Sequence, residues 1–167
     1  MSNRHLWRPL AVLAALLMGT VACISEPTNF QLAVSRGNVQ EAATILAQDQ
    51  DASRVVNQQS AGLRPLNDAA VNGYTEMVSF LLSRGAKVNL PADGAFTALH
   101  SAALGGRAET ARVLLSAGAD PCVHASRRGS EGLPSEVARN AEEIYINGRR
   151  DETVAFFEQL EDASCKR

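Results

Sequence analysis

The side chains that most often carry out chemistry are scarce in this sequence of 167 residues. Its three histidines, His5, His100 and His124, lie far apart along the chain. We find no glycine-rich phosphate loop, no His-Glu metal-binding helix, no nucleophile elbow and no cysteines at zinc-binding spacing. The sequence therefore predicts that the chain is not an enzyme and that it needs neither a cofactor nor a metal ion.

Cysteines are the other reactive side chains, and the chain has three of them. Cys23 directly follows a short run of small residues, whereas Cys122 and Cys165 lie in the C-terminal half. An odd number of cysteines leaves one of them without an intramolecular partner. Covalent modification of Cys23 would leave Cys122 and Cys165 available to pair with each other.

The first 22 residues predict a secretory leader. Arg4 and Arg8 make the start positive, and an apolar run from Leu10 to Val21 follows. This run has about 12 residues, which is well short of the roughly 20 that a membrane-spanning helix needs. We therefore expect residues 1–22 to be a cleaved signal and the mature protein to be periplasmic.

The residues around the expected cleavage point resemble a bacterial lipoprotein signal, in which the cysteine after the cut carries lipid. Cys23 has the position of that cysteine, although Thr20 stands where leucine is usual. Because Ile24 and not aspartate follows, the resemblance implies anchoring at the outer membrane. The alternative is ordinary cleavage after Ala22, which would release a soluble periplasmic protein.

Composition places the chain among ordinary globular proteins, with 46% hydrophobic and 20% charged residues in the full sequence. Loss of the leader would change the formal net charge from −2 to about −4. The arginine pairs at 127–128 and 149–150 fit solvated loops better than phosphate sites. A nucleic-acid partner is therefore not expected.

Two parts of the chain repeat each other at an interval of 33 residues. Residues 65–73 read Pro-Leu-Asn-Asp-Ala-Ala-Val-Asn-Gly, and residues 98–106 read Ala-Leu-His-Ser-Ala-Ala-Leu-Gly-Gly. The match continues downstream, where residues 81–89 align with residues 114–122. One register kept over more than twenty positions indicates a repeat architecture.

These segments resemble the ankyrin repeat, whose pattern runs Gly-x-Thr-Pro-Leu-His-x-Ala-Ala-x-x-Gly and continues with Val-x-x-Leu-Leu and Gly-Ala-Asp-x-Asn. Arg64 replaces the pattern's threonine and Ala98 its proline. The resemblance implies an all-α solenoid of about four helix-turn-helix units with short β-hairpin-like loops and atypical caps. It gives His100 a structural task, hydrogen bonding between adjacent repeats.

We divide the chain into a linker, four units and a tail at 23–28, 29–61, 62–94, 95–127, 128–162 and 163–167. The first unit ends in a long polar stretch, Asp51 to Gly62, which we interpret as an extended hairpin. In the last unit we expect one helix over about 135–146 and a final helix over about 151–161. The inward side chains of that final helix are expected to be Val154, Phe157 and Leu160.

Within this repeat arrangement, Cys122 and Cys165 both follow the second helix of adjacent units. Packed helices lie about 8 to 10 Å apart, and the chain end could close the remaining distance to the roughly 5.5 Å between α-carbons of a disulfide. We predict a Cys122–Cys165 bridge, which would add about 4 kcal/mol of stability in the chain-entropy model. The alternative is two unrelated thiols.

The resemblance implies that hairpin tips and first helices form a concave binding surface. Leu63 and Phe96 occupy equivalent hairpin positions, with Leu90 nearby, and an exposed Phe96 would be a contact anchor. The alternative is that Phe96 folds back onto Leu90 and only caps its hairpin. The other positions that the pattern leaves free are Ser35, Arg36, Asp68, Val71, Asn72, Ser101, Leu104 and Gly105. The hairpin before the last unit adds His124, Arg127, Arg128 and Glu131, a mainly basic loop that favours a partner with an acidic contact area.

Function is therefore expected to be the binding of one specific protein by a monomer. Resemblance to exported bacterial ankyrin proteins implies an inhibitor of the immunity type. A second interpretation is an accessory or stabilising partner of a periplasmic enzyme, for example one involved in oxidative stress. A third is a host-directed effector, and a fourth is a small-ligand receptor around His100 and Asp68.

Overall fold

The computed structural model describes residues 29–60, 62–127, 130–141 and 150–165. Helices and tight turns alternate along this part of the chain, with one short hairpin. The helices are α1 (Asn29–Ser35), α2 (Val39–Leu46), α3 (Ala52–Asn57), α4 (Pro65–Asn72), α5 (Thr75–Ser83), α6 (Ala98–Leu104), α7 (Ala108–Ser116), α8 (Pro134–Asn140) and α9 (Arg150–Ser164). A 3-10 turn covers Asp93–Ala95, and strands β1 (Ala125–Arg127) and β2 (Ser130–Gly132) pair antiparallel.

The helices form two layers. In the inner layer α1 packs on α4, α4 on α6, and α6 on α8. In the outer layer α2 packs on α5, and α5 on α7. Helix α9 lies against α8 and α6 and so covers the end of the stack. The all-α stack of helix-turn-helix units predicted from the sequence is confirmed.

Glycines make the turns between the inner and outer helices. Gly73 ends α4 and Gly106 precedes α7, with φ angles of 77° and 66°. This left-handed backbone costs glycine little, because it has no Cβ. The two helices of each unit can therefore reverse direction within two or three residues and pack side by side.

The core is built from small side chains within the inner layer and large ones between the layers. The alanine pair of each middle repeat, Ala69-Ala70 and Ala102-Ala103, is fully buried, which allows the inner helices to approach closely. Met77, Leu81 and Leu114 fill the space beside the outer helices and are also fully buried. Dense contact of this kind supplies most of the dispersion and hydrophobic stabilisation of a repeat stack.

Asparagine side chains join the end of one repeat to the next. The Asn57 amide nitrogen donates to the carbonyl of Gly85, and the amide N–H of Lys87 donates to Asn57 Oδ1, each at 2.9 Å. Asn89 makes the same two bonds with the following repeat, again at 2.9 Å. One amide thus satisfies a backbone donor and a backbone acceptor that the loop would otherwise leave unpaired.

Cys122 holds the next equivalent position in this series, and its link is covalent. It forms a disulfide with Cys165, with 5.5 Å between the α-carbons. The predicted bridge is therefore confirmed. It links the third repeat to the residue that follows α9. A covalent cross-link thus occupies the position at which Asn57 and Asn89 make hydrogen bonds in the earlier repeats.

Polar contacts also fix α9 against α8. The amide N–H and the hydroxyl of Ser135 donate to the two carboxylate oxygens of Glu161, at 2.8 and 2.6 Å. Burial raises the pKa of Glu161, and these two hydrogen bonds partly oppose that effect. Phe157 is fully buried, and Val154 and Leu160 pack on the core as predicted. At 15 residues α9 is a long helix, but no helix in the described part of the chain is long and apolar enough to cross a membrane.

Two predicted segments differ from the structure. The stretch from Asp51 to Gly62 is not simply an extended hairpin, because it contains α3, whose first turn is capped by the Asp51 side chain bonding the amide of Arg54 at 2.9 Å. The helix expected over 135–146 ends at Asn140, and Ala141 has an extended backbone. Residues 142–149 lie outside the described residues.

Gly105 marks the closest approach between α4 and α6. A Cβ atom added there would lie 2.1 Å from the carbonyl oxygen of Val71, a backbone atom. The φ of Gly105 is −83°, so its backbone conformation is open to any residue. The lack of room for a side chain, and not the backbone conformation, therefore requires glycine at this position.

We expect Gly105→Ala to destabilise the protein by about 3 kcal/mol, because the α4–α6 contact must open to admit a methyl group. The matched control is Gly118→Ala, whose added Cβ would have no described heavy atom within 4 Å although its φ is 88°. That change should cost only about 1 kcal/mol, the penalty of left-handed backbone. Urea unfolding of both variants checks this, and a larger loss for Gly118→Ala would contradict the steric account.

Candidate functional site

His100 links the third repeat to the hairpin that follows it. Its Nδ1 accepts a hydrogen bond from the amide N–H of Thr97 at 3.3 Å and lies 2.8 Å from the Thr97 hydroxyl. Its Nε2 donates to the carbonyl of Gly132, on β2, at 3.1 Å. The side chain is 0% exposed. The structural task expected for this histidine is confirmed, and both ring nitrogens are occupied by it.

Burial lowers the pKa of His100 from 6.5 to about 4. Hydrogen bonds to the carbonyls of Gly132 and Val123 oppose this shift, and the charge of His124 adds to it. The imidazole is therefore neutral near pH 7, which suits a ring that accepts one bond and donates the other.

Asn67 has the position of His100 one repeat earlier. Its amide nitrogen reaches the next repeat, donating to the carbonyl of Phe96 at 2.9 Å and to the Ser101 hydroxyl at 3.0 Å. Its Oδ1 is buried without a hydrogen-bond partner. Arg64 precedes α4 in place of threonine and provides no side-chain cap. Like His100, Asn67 makes hydrogen bonds to the next repeat, but the start of its helix lacks the side-chain cap that Thr97 and His100 form.

Phe96 is buried, so the expectation that it is an exposed anchor is wrong. Its side chain is 1% exposed and packs with Ala125, Val137 and Leu104, and its ring centroid lies 5.4 Å from that of His100. The aromatic ring therefore fills the interface with the following unit. The sequence left open both an exposed anchor and a side chain folded back onto Leu90, and the structure shows burial, with Val137 of the following unit among the contacts of Phe96.

Two further predicted contact residues are also inaccessible. Ser101 is 1% exposed, since its hydroxyl accepts from Asn67 and donates to the carbonyl of Thr97 at 3.3 Å. Gly105 is buried where α6 meets α4. Neither residue can contact a partner directly in this structure.

The remaining predicted residues of the inner helices are accessible. We define the inner face as the solvent-facing side of α1, α4 and α6 together with the adjoining hairpins. Asp68, Val71 and Leu104 are half-buried on this face, and Asn72 is exposed. Ser35 is half-buried and Arg36 is exposed at the end of α1. Leu32, which the sequence analysis did not select, is half-buried in the position equivalent to Asp68.

Leu63 and Leu90 are half-buried at the hairpins. His124 and Glu131 are exposed. The backbone of Arg127 ends β1, whereas its side chain and the whole of Arg128 lie outside what the structure describes.

Asp68 is held in place from two sides. The Gln31 amide nitrogen donates to Oδ2 at 2.7 Å, and the Asn72 amide nitrogen donates to Oδ1 at 3.1 Å. Burial raises the pKa of Asp68, and these two hydrogen bonds oppose the shift. The sequence analysis missed Gln31, although its alignment with Asn67 and His100 marks the position where a polar side chain reaches the next unit.

Clefts of about 310, 580 and 370 Å³ lie away from the inner face. The first runs between the turns at Gly73 and Gly106 and the start of α9, and the third lies beside Cys165. In the described ranges no group of three or more His, Cys, Asp or Glu side chains is arranged to hold a metal ion.

Comparison with known proteins agrees with this architecture. The ankyrin repeat family model, which describes three copies of the repeat, matches residues 13–92 and 30–125. A putative ankyrin repeat-containing protein of Treponema pallidum (strain Nichols) is 38% identical over 125 residues, 74% of this chain and 39% of that protein. BCL-6 corepressor-like protein 1 of Homo sapiens is 37% identical over 71 residues, 42% of this chain and 4% of that protein. Transient receptor potential cation channel subfamily A member 1 of Homo sapiens is 37% identical over 91 residues, 54% of this chain and 8% of that protein.

The chain belongs to the ankyrin repeat family, because the family model covers more than half of it. Proteins of this family are generally interaction scaffolds and not catalysts, so the chain is a protein-binding module of the ankyrin type. It spans only 39%, 8% and 4% of the lengths of the three relatives.

Stability should depend on pH through His100. Its folded pKa of about 4 lies below the ordinary value of 6.5, so the unfolded chain binds a proton more tightly between those values. The contribution of the neutral His100 side chain to the free energy of unfolding is therefore complete above pH 6.5. It is lost as the pH falls toward 4, and the total loss is about 3 kcal/mol. In His100→Asn, urea unfolding should show that the stability difference from wild type shrinks by this amount between pH 7 and pH 4. His124→Gln, at an exposed position, is the control, and parallel pH profiles of wild type and His100→Asn would contradict the prediction.

Proposed function

We propose that this ankyrin module is exported to the periplasm, where its inner face holds one specific protein and inhibits it in the manner of an immunity protein. The observation that carries the binding part is the inner face itself. There Val71, Leu104 and Leu32 remain half-buried beside Asp68, with Asn72 exposed at the edge. Partly exposed aliphatic groups around a held polar group are typical of protein contact surfaces.

Two features support export. The residues before Cys23 have the order of a secretory leader, with a basic start, a short apolar run and small residues. The Cys122–Cys165 disulfide suits an oxidising compartment, because cytosolic reductants keep most protein thiols reduced. Lipidation of Cys23 would concentrate the module at a membrane surface, where a periplasmic target could be met.

The inhibitory role rests on the resemblance to exported bacterial ankyrin proteins and on the form of the surface. An open helical face can cover part of another protein without enclosing a small molecule. Coverage of an active site would inhibit the partner, whereas coverage of an unstable region would stabilise it. These two outcomes differ in a measurement of the partner's activity.

The test is affinity capture from the native cell envelope with the disulfide-bonded protein as bait. The informative variant carries Leu63→Arg and Val71→Arg on the inner face. The control carries Gln40→Arg and Ser79→Arg, two exposed positions on the outer helices α2 and α5, so both baits gain the same charge. Circular dichroism melting of each bait checks that it is folded.

We expect one stoichiometric protein with the wild-type and control baits and at least a tenfold loss with the inner-face variant, because buried arginine charges disrupt an apolar contact. Activity of the captured protein should fall when purified module is added. Retention by the inner-face variant would refute this surface as the binding site. A captured enzyme that became more active or more heat-stable would instead indicate the accessory role.

A further inference from the structure

Within the described residues, no cationic side chain forms an ion pair with the carboxylate of Asp68. All three ion pairs found within the described residues lie elsewhere. Arg36, at the end of the neighbouring helix α1, is exposed and forms no described ion pair with Asp68. Both hydrogen-bond donors to the Asp68 side chain are neutral amides. A negative charge is thus kept half-buried on the inner face without neutralisation.

The two hydrogen bonds that Asp68 accepts offset only part of the cost of keeping its charge half-buried, because burial still raises its pKa. An asparagine at position 68 could accept the Gln31 bond through its carbonyl oxygen without the cost of partly burying an anion, and it would lose only the bond from Asn72, which its NH₂ group cannot accept. Removing a carboxylate from water without a cation nearby is unfavourable. The negative charge itself therefore calls for an explanation outside the folded chain.

The two amides hold the carboxylate in a fixed orientation. Gln31 is bonded to Oδ2 and Asn72 to Oδ1. A carboxylate has about four acceptor positions, so each oxygen keeps capacity for one more donor. A guanidinium group can fill both in a bidentate pair, and an ammonium group can fill one.

The neighbouring side chains suit the rest of a basic residue. Val71 follows Asp68 by three positions, so both lie on the same side of α4. Leu104 is half-buried at the position equivalent to Val71 on α6. The aliphatic stem of an arginine or lysine can lie on such apolar groups while its charged end reaches the carboxylate.

We propose that Asp68 receives the guanidinium or ammonium group of a basic side chain on the bound protein, with the stem of that side chain lying over Val71. This inference rests on the proposed function, because it assumes that the inner face is where a protein binds. It assigns a basic contact to the centre of the face. The acidic contact area expected on the partner was predicted from the basic loop at Arg127 and Arg128 and so concerns different residues.

The test is NMR titration of the ¹⁵N-labelled, disulfide-bonded protein with two capped tripeptides, Leu-Arg-Leu and Leu-citrulline-Leu. Citrulline matches arginine in shape but carries no charge. The reporters are the side-chain NH₂ signals of Gln31 and Asn72, which donate directly to the carboxylate. We expect saturable shifts of both signals with the arginine peptide and at least fivefold weaker binding of the citrulline peptide. Equal responses to the two peptides, or no response at these signals, would overturn the proposal without any variant.

Two variants sharpen the result. Asp68→Asn should abolish the preference for arginine and change the melting temperature little, because removal of a half-buried charge offsets the loss of the bond from Asn72. Asp151→Asn, at an exposed position in the first turn of α9 and away from the inner face, should keep the preference. If Asp68→Asn instead lowers the melting temperature and keeps the preference, Asp68 is a structural link to Gln31 and the proposal is wrong. If a captured partner depends on Leu63 and Val71 but binds Asp68→Asn normally, the binding face stands and only the charge recognition fails.

Discussion

The close approach of successive inner helices is the constraint on which the rest of this structure depends. Alanine pairs and Gly105 leave room for backbone to meet backbone, and a larger side chain at these positions would separate the repeats. Once the helices are this close, a polar side chain near the start of one helix can reach the next unit. Gln31, Asn67 and His100 all do so. Close packing of the inner helices thus fixes how successive repeats align, and the hydrogen bonds between repeats make that alignment specific.

Each junction of the stack uses different chemistry at equivalent positions. His100 caps its own helix and also bonds the next hairpin. Asn67 bonds the next hairpin but does not cap its helix. Gln31 bonds the half-buried carboxylate of Asp68. At the far end, the amide links of Asn57 and Asn89 are followed by the Cys122 disulfide. The stack therefore ends in a disulfide, whereas α4 carries the carboxylate of Asp68, which accepts hydrogen bonds from two side-chain amides.

The sequence predicted the features that every repeat shares. It did not predict features, such as the burial of a side chain, that depend on contacts with a neighbouring unit. The 33-residue repeat, through its resemblance to the ankyrin pattern, predicted the stack of helix-turn-helix units and its turns, and the positions of Cys122 and Cys165 within that stack predicted their disulfide. It could not show that Phe96 and Ser101 are buried, because residues of other units, Val137 and Asn67, help to cover them. Helix α3 lies in a stretch with no counterpart in the other repeats. The setting of Asp68 was equally hidden, since it depends on Gln31 from the preceding unit.

The central claim is that the bonds and close contacts between repeats make the stack one cooperative unit. Native-state hydrogen exchange of the oxidised protein in wild-type and Asn67→Ala forms tests it most directly. The account predicts that the slowest amides, in α4 and α6, exchange only by global unfolding, so that Asn67→Ala lowers their protection by the same free energy in both helices. Loss of protection in α4 alone, with α6 unchanged, would show that the repeats unfold independently and would contradict the account.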